Sequence, residues 1–406
     1  MKFYFPDSHD LVDPSFDFES EQRTYNGSRQ RSQQYAHEAL DEPPYDGMLL
    51  SKAVVDGRNK NTRYSFGQVR SLMDNGIHKF LRLEATQQRA RLSAMGDCGS
   101  FSFASEDEPP FTVDEIVDFY GQCGFDLGIS LDHVILGYQP DPKKEIPDDW
   151  KRRHQMTLDL AAEFRNKSRT LKHFTPLGAA QGWDPASYRD AVQNLQKMGY
   201  DYIAVGGLVP LKTKEIIDVL ASISMVRNKK TKIHLLGISR LERFEDFAKH
   251  GVASLDSTAP LKQAFMDDKN NYHTHDELFT AVRIPQVDGN PQLKRNILAG
   301  RIDLSEALGM ERACMSSVIG FARGNGSLDA AISELRAYER LWSGKKDDSE
   351  RYRHTLASRP WEKCPCSICR QLGVHVVIFR GADRNRRRGF HNLFVLHQNL
   401  SKLRPN

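Results

Sequence analysis

Three cysteines fall within six residues, Cys364, Cys366 and Cys369, followed by His375 and then by His391 beside Asn392. Three thiolates and one imidazole can enclose a tetrahedral ion as a closed structural zinc site, with no open position for chemistry. Either histidine can supply the fourth ligand. A second set of chemistry-bearing residues is spread along the chain, each just after a short apolar run: Asp97 in Gly96-Asp97-Cys98-Gly99, Asp132-His133, Gln181-Gly182, Gly206-Gly207, Gly237, and Asp256-Ser257-Thr258. Paired carboxylates suit displacement at an anomeric carbon, one attacking C1′ while the other gives and takes a proton. A further carboxylate and an amide can read a planar heterocycle. The carboxylate accepts two parallel N–H donors, and the amide donates to a carbonyl oxygen. One carboxylate at a strand end is often only a helix N-cap. Three carboxylates, an amide and a glycine pair ask for more.

The runs that precede these residues define the scaffold. Strands are expected at Leu92–Met95, Phe125–Ser130, His173–Leu177, Tyr202–Val205, Ile233–Leu236 and Val252–Leu255, with two earlier ones near Leu49–Val55 and Phe80–Leu83. Amphipathic stretches of helical length lie between them: Val113 to Gln122, Asp149 to Ser168, Tyr188 to Met198, Thr213 to Met225 and Leu241 to Lys249. Alternation of this kind predicts a parallel sheet built from β-α units. About eight such units, with no GxGxxG after any strand, predict an α/β fold of the (β/α)8 TIM-barrel type rather than a doubly wound sheet. The polar residues at the strand ends then converge on one barrel mouth. Residues 1–45 read as an N-terminal wrapping segment, 46–300 as the catalytic barrel, and 301–406 as a helical C-terminal part carrying a Cys3His zinc subdomain.

The chain has 406 residues, with 57 Lys and Arg against 53 Asp and Glu, a net charge of +4. That balance excludes a polyelectrolyte, so any nucleic-acid contact must come from local patches. The densest patch is Arg380, Arg384, Arg386, Arg387 and Arg388, just before His391, and it is expected to bind phosphates. Six cysteines, half of them in the cluster, do not make a secreted disulfide framework. No apolar N-terminal segment of signal type and no run of membrane-span length is visible, which predicts a cytoplasmic protein without membrane contact.

From Ala94 to Asn392 the motifs resemble, in order and spacing, those of the tRNA-guanine transglycosylases. Gly96-Asp97-Cys98-Gly99-Ser100-Phe101 is similar to the family's Asp-Ser-Gly-Gly-Tyr/Phe segment, which implies Asp97 as general acid/base and Phe101 as a ring stacked on the base. The resemblance implies Asp132 for guanine N1–H and the exocyclic amine, and Gln181 for O6. It implies Gly206-Gly207-Leu208 for the wall beside the 7-substituent, Leu236-Gly237 for the other face, and Asp256 for the nucleophile. Cys364, Cys366, Cys369 and His391-Asn392 look like the family's zinc signature, which favours His391 over His375 and implies one structural Zn²⁺ per chain.

Departures from the tRNA enzymes narrow the resemblance. After Asp256 those enzymes usually carry a Pro-Thr-Arg type segment, where this chain has Ser257-Thr258-Ala259-Pro260. The wording around Met95–Gly99, Asp126–His133, Val209–Thr213 and Arg380–Asn392 resembles the DpdA-type DNA transglycosylases, which implies exchange of guanine in DNA for preQ0 (7-cyano-7-deazaguanine). Arg384, Arg386, Arg387 and Arg388 would then contact DNA, and helper proteins that open the duplex would be possible partners. The alternatives are the same chemistry on tRNA, or a non-catalytic nucleic-acid-binding relative. An unrelated barrel glycosidase leaves the cysteine cluster unexplained.

Overall fold

The computed structural model describes residues 1–23, 32–57, 64–87, 89–240, 243–344 and 346–403. Eight strands form a closed barrel: β1 (Lys2–Pro6), β2 (Gly47–Ser51), β3 (Ser93–Asp97), β4 (Leu127–Ile129), β5 (Thr175–Ala180), β6 (Tyr202–Val205), β7 (Lys232–Leu235) and β8 (Val252–Asp256). Every neighbouring pair is parallel, and β1 closes the ring on β8 with Tyr4 opposite Asp256. The expected (β/α)8 barrel is therefore present. One expected strand is not. Phe80 ends the Phe66–Phe80 helix, and Leu81 and Leu83 are buried in the turn after it. The eighth strand is Lys2–Pro6, inside the segment that the sequence reads as a wrapping arm. Leu241, the expected start of one helix, lies outside the described residues; that helix runs Phe244–Lys249.

The barrel is filled by Tyr4, Leu49, Met95, Ile129, Leu177, Ala179, Tyr202 and Ala204, with Leu127, Leu236 and Ala253 packed against them. Side chains alternate across a strand, so residues two apart share a face. Asp97 therefore continues the inward row of Met95, and Gln181 continues Leu177 and Ala179. This is how an apolar interior delivers polar groups to its C-terminal rim. The helix after β5 is capped locally: Asp184 Oδ1 accepts the Ser187 N–H at 2.6 Å and starts Pro185–Lys197.

The chain divides into two compact units, each discontinuous in sequence. The first comprises 1–9, 45–258 and 399–406 and contains the whole barrel; the second comprises 10–44 and 259–398. The second unit contains the long helices Leu304–Ala322 and Leu328–Ser343, most of the helix Gly381–Ser401, and a small parallel pair, Val282–Arg283 with Ile378–Phe379.

Candidate active site

Asp97 ends β3, and its Oδ2 accepts the N–H of Gly99 at 3.0 Å. Burial, followed by the charges of Asp132 and Asp256, pushes its pKa up to about 8. The three carboxylates are thus close enough to feel one another across a single mouth. Asp132 is itself buried, and burial raises its pKa. Its Oδ1 accepts the Cys98 thiol at 2.9 Å and its Oδ2 accepts the Gln181 amide at 2.6 Å. Burial holds the Cys98 thiol well above its usual range, so it stays protonated and donates. Gln181 Oε1 in turn accepts the Ile135 N–H at 3.3 Å.

The glycine pair stands against this amide. A Cβ on Gly206 would lie 2.3 Å from Gln181 Nε2, and Gly207 has φ +72°. Only a residue without a side chain lets the backbone come this close. Leu208 is buried beside it and Leu236 is half-buried, whereas Phe101 is 53% exposed in a short 3-10 turn. Asp256, at the end of β8, is 6% exposed. Its Oδ1 receives His234 Nε2 at 3.1 Å and the Gly237 N–H at 3.1 Å. The mouth therefore assembles Asp97, Asp132, Gln181, Gly206, Gly207, Leu236, Gly237 and Asp256 from separate strand ends, with Phe101 exposed on the loop after β3.

The second unit brings Cys364, Cys366, Cys369 and His391 together, with one donor atom from each lying within 4.8 Å of all the others. His391 Nδ1 is 3.5, 3.5 and 3.3 Å from the three sulfurs in turn. A zinc tetrahedron of sulfur and nitrogen has edges of roughly 3.5–4 Å, so the set fits a metal ion. The second shell is in place as well: His391 Nε2 donates to the His273 carbonyl at 2.7 Å, which leaves Nδ1 facing the sulfurs. Asn392 accepts the His273 N–H and donates to the Pro260 and Asn271 carbonyls, which explains the His-Asn pairing. His375 lies elsewhere, beside Glu19 and Arg384.

The expected phosphate-binding arginines are corrected. Arg384 (1% exposed), Arg387 (6%) and Arg388 (0%) are buried and hydrogen-bonded within the second unit. Arg384 pairs with Glu21 and donates to the Phe18 carbonyl. Arg387 pairs with Asp383 at 3.1 Å and donates to the Asp13 carbonyl, while Arg388 donates to the carbonyls of Val376, Ile378 and Ala264. Arg386 is half-buried against Asp10 and the Leu11 carbonyl. Guanidiniums committed in this way do not form a polymer track.

No family model matches the chain. It is 46% identical to a DNA-guanine transglycosylase of Salmonella montevideo, over 98% of this chain and 96% of that protein. The matched stretch covers nearly the full length of both chains. The chain belongs to the DNA-guanine transglycosylase family. Similarity to tRNA enzymes is more distant and partial. The tRNA-guanine(15) transglycosylase of Pyrococcus abyssi is 28% identical over 46% of this chain and 30% of that protein. A queuine tRNA-ribosyltransferase of Marinobacter nauticus is 24% identical over 54% of this chain and 56% of that protein.

Within this DNA-guanine transglycosylase family member, sequence reasoning passed over His234 and Cys98, both bonded to mouth carboxylates. Their signal was a polar residue in an apolar strand, two positions before Leu236, and a thiol directly after Asp97.

Proposed function

We propose that the chain replaces guanine in DNA with a 7-deazaguanine base, preQ0, by double displacement. The observation that carries the reading is the pairing of Asp256, held by two donors, with Asp97, whose proton is retained near neutral pH by burial and by the neighbouring carboxylates. A carboxyl that keeps its proton can serve as the acid, and a carboxylate gripped by two donors can serve as the nucleophile.

The steps follow from the residues. A guanosine flips from the duplex into the mouth, at a cost of a few kcal/mol. Asp132 accepts its N1–H and exocyclic amine, Gln181 donates to O6, and Phe101 and Leu236 cover its faces. Asp256 bonds to C1′ as the bond to N9 breaks, and the departing guanine takes its proton from Asp97. The incoming base then loses its N9 proton to Asp97 and displaces Asp256, so two inversions give net retention. A 7-deaza base has no N7 to protonate, which makes the product a poor substrate for reversal. The wall of Gly206, Gly207 and Leu208 offers backbone rather than a carboxylate, which suits a neutral 7-cyano group better than an aminomethyl cation.

The Cys3His donor set is that of structural zinc, and we take one Zn²⁺ per chain as its occupant. Duplex opening is the costly step left to DNA-remodelling partners. No helix among the described residues is long and apolar enough to cross a membrane.

The test is mass spectrometry of nucleosides from DNA, and separately from tRNA, after incubation with protein and preQ0. Incorporation into DNA is expected; incorporation into tRNA alone would assign the same chemistry to the other polymer. Asp256→Asn should lose exchange by at least about 10³-fold with its melting temperature unchanged. Near-parental exchange by that variant would move the nucleophile elsewhere.

A further inference from the structure

One line of polar atoms crosses the otherwise apolar barrel from Tyr202 to Asp256. The Tyr202 hydroxyl lies 2.5 Å from Ser254 Oγ, Ser254 Oγ lies 2.6 Å from His234 Nδ1, and His234 Nε2 lies 3.1 Å from Asp256 Oδ1. His234 and Ser254 are both 0% exposed. An irregularity in the β7–β8 register makes the alignment: Ile233 pairs with Val252, but His234 pairs with Ser254, so Ala253 is skipped. Such a bulge re-aims a side chain. An imidazole at this depth is costly unless both nitrogens are bonded, and here both are.

Read as the nucleophile, Asp256 is a carboxylate, and this orders the donors along the line. A carboxylate oxygen only accepts, so Nε2 carries the hydrogen. A ring with its hydrogen at Nε2 alone has its lone pair at Nδ1; Ser254 then donates to it, and the Ser254 oxygen accepts from Tyr202. Burial pushes the Tyr202 pKa up to about 12, which keeps that end of the line a donor. A second donor meets the same carboxylate oxygen, the Gly237 N–H, delivered by a backbone with φ +73°. Both donors therefore converge on Oδ1. Among the described residues no hydrogen bond reaches Oδ2.

We propose that His234 is a positioning residue: with Gly237 it grips Asp256 by Oδ1, so that Oδ2 is the atom that bonds C1′. The inference rests on the reading of Asp256 as nucleophile. In the first displacement the Oδ2–C1′ bond forms as C1′–N9 breaks; the electron pair leaves with guanine, which takes the Asp97 proton. In the second, the N9–H of the incoming base passes its proton to Asp97, N9–C1′ forms, and C1′–Oδ2 breaks with its pair returning to Asp256. Oδ1 keeps both donors throughout, so the carboxylate never has to be re-aimed. A ring that merely filled space would show no dependence on its N–H.

The experiment measures incorporation of labelled guanine into a guanine-containing DNA oligonucleotide, with kcat and KM determined for the parent, His234→Ala, His234→Gln and Asp256→Asn. Melting temperature and metal content report folding. His234→Ala should lower kcat at least about tenfold while KM for DNA and for guanine stays within about twofold. His234→Gln, whose amide nitrogen reaches the place of Nε2, should keep more than about one-tenth of parental kcat. A smaller effect of alanine, a loss expressed in KM, or a glutamine variant below one-tenth would each overturn the proposal. Should His234→Ala fail to fold, the glutamine variant alone decides by the same threshold. An active Asp256→Asn removes the nucleophile reading and this inference with it. An inactive Asp256→Asn beside indifferent His234 variants removes this inference only.

Discussion

Gln181 donates its amide hydrogen to Asp132 at 2.6 Å, so the two side chains proposed to read the base edge are already bonded to each other. Asp132 is held on its other oxygen by Cys98, and the carbonyl end of Gln181 is held by the Ile135 N–H. The recognition edge is thereby set before a base arrives, and the entropy of ordering two side chains is not charged to binding.

That arrangement depends on Gly206. Gly206→Ala puts a methyl 2.3 Å from Gln181 Nε2, and the amide must move. The expected outcome is a KM for the base raised about tenfold or more with a melting temperature close to the parent's, read by steady-state exchange kinetics.

Asp97 should impose an alkaline limit. With its pKa at about 8, it holds the proton needed by the departing base at pH 7 and loses it above pH 8, so single-turnover guanine release should fall across that range. The same shift affects stability. The folded chain binds this proton more tightly than an ordinary carboxyl of pKa 3.8 would, so Asp97 favours the fold fully below about pH 4. The contribution is lost as the pH rises to about 8. Asp97→Asn should therefore be inactive yet flatten the decline of melting temperature between pH 4 and 8. A parallel decline in parent and variant would show that Asp97 titrates normally.

Metal content provides an independent check. The parent should carry about one zinc per chain, and Cys366→Ser or His391→Ala should lose it together with the cooperative melting of the second unit. His375→Ala should retain the metal, since His375 sits with Glu19 and Arg384 instead. Elemental analysis beside calorimetry separates these outcomes.

Arg388 should behave as a core residue. Arg388→Gln removes donors to the buried carbonyls of Val376, Ile378 and Ala264. It should destabilise the chain by about 2–5 kcal/mol in denaturant titration. The salt dependence of DNA binding should be unchanged in any Arg388→Gln protein that folds, because a guanidinium that touches no phosphate releases no counterion.

Much of the barrel was legible because its strands announce themselves locally. Tyr202–Val205 stands in the structure with the limits read from the sequence, and the polar residues after the apolar runs do meet at one mouth. Lys2–Pro6 gave no such sign, since its pairing partners on β8 lie some 250 residues away. Phe80–Leu83 misled because an apolar helix end and its buried turn carry the same short run as a strand. The arginines misled for a related reason: the Glu21 carboxylate and Phe18 carbonyl that hold Arg384, and the Asp13 carbonyl that receives Arg387, lie more than 360 positions upstream, beyond any local pattern. His234 was hidden by burial. A lone histidine in an apolar strand reads as core until its neighbours across the sheet are known.

The discontinuity of both units bears on how the chain can be made. The barrel draws on residues 1–9, 45–258 and 399–406, and the second unit on 10–44 and 259–398. Neither is complete until its last segment, reaching residue 398 or 406, has been made. A fragment cut at residue 258 would hold all eight strands but lack 399–406, and a fragment begun at 259 would hold all four metal ligands but lack 10–44, which supplies Glu21 to Arg380 and Arg384. Dissection into two expressible halves therefore goes against the way the chain is threaded.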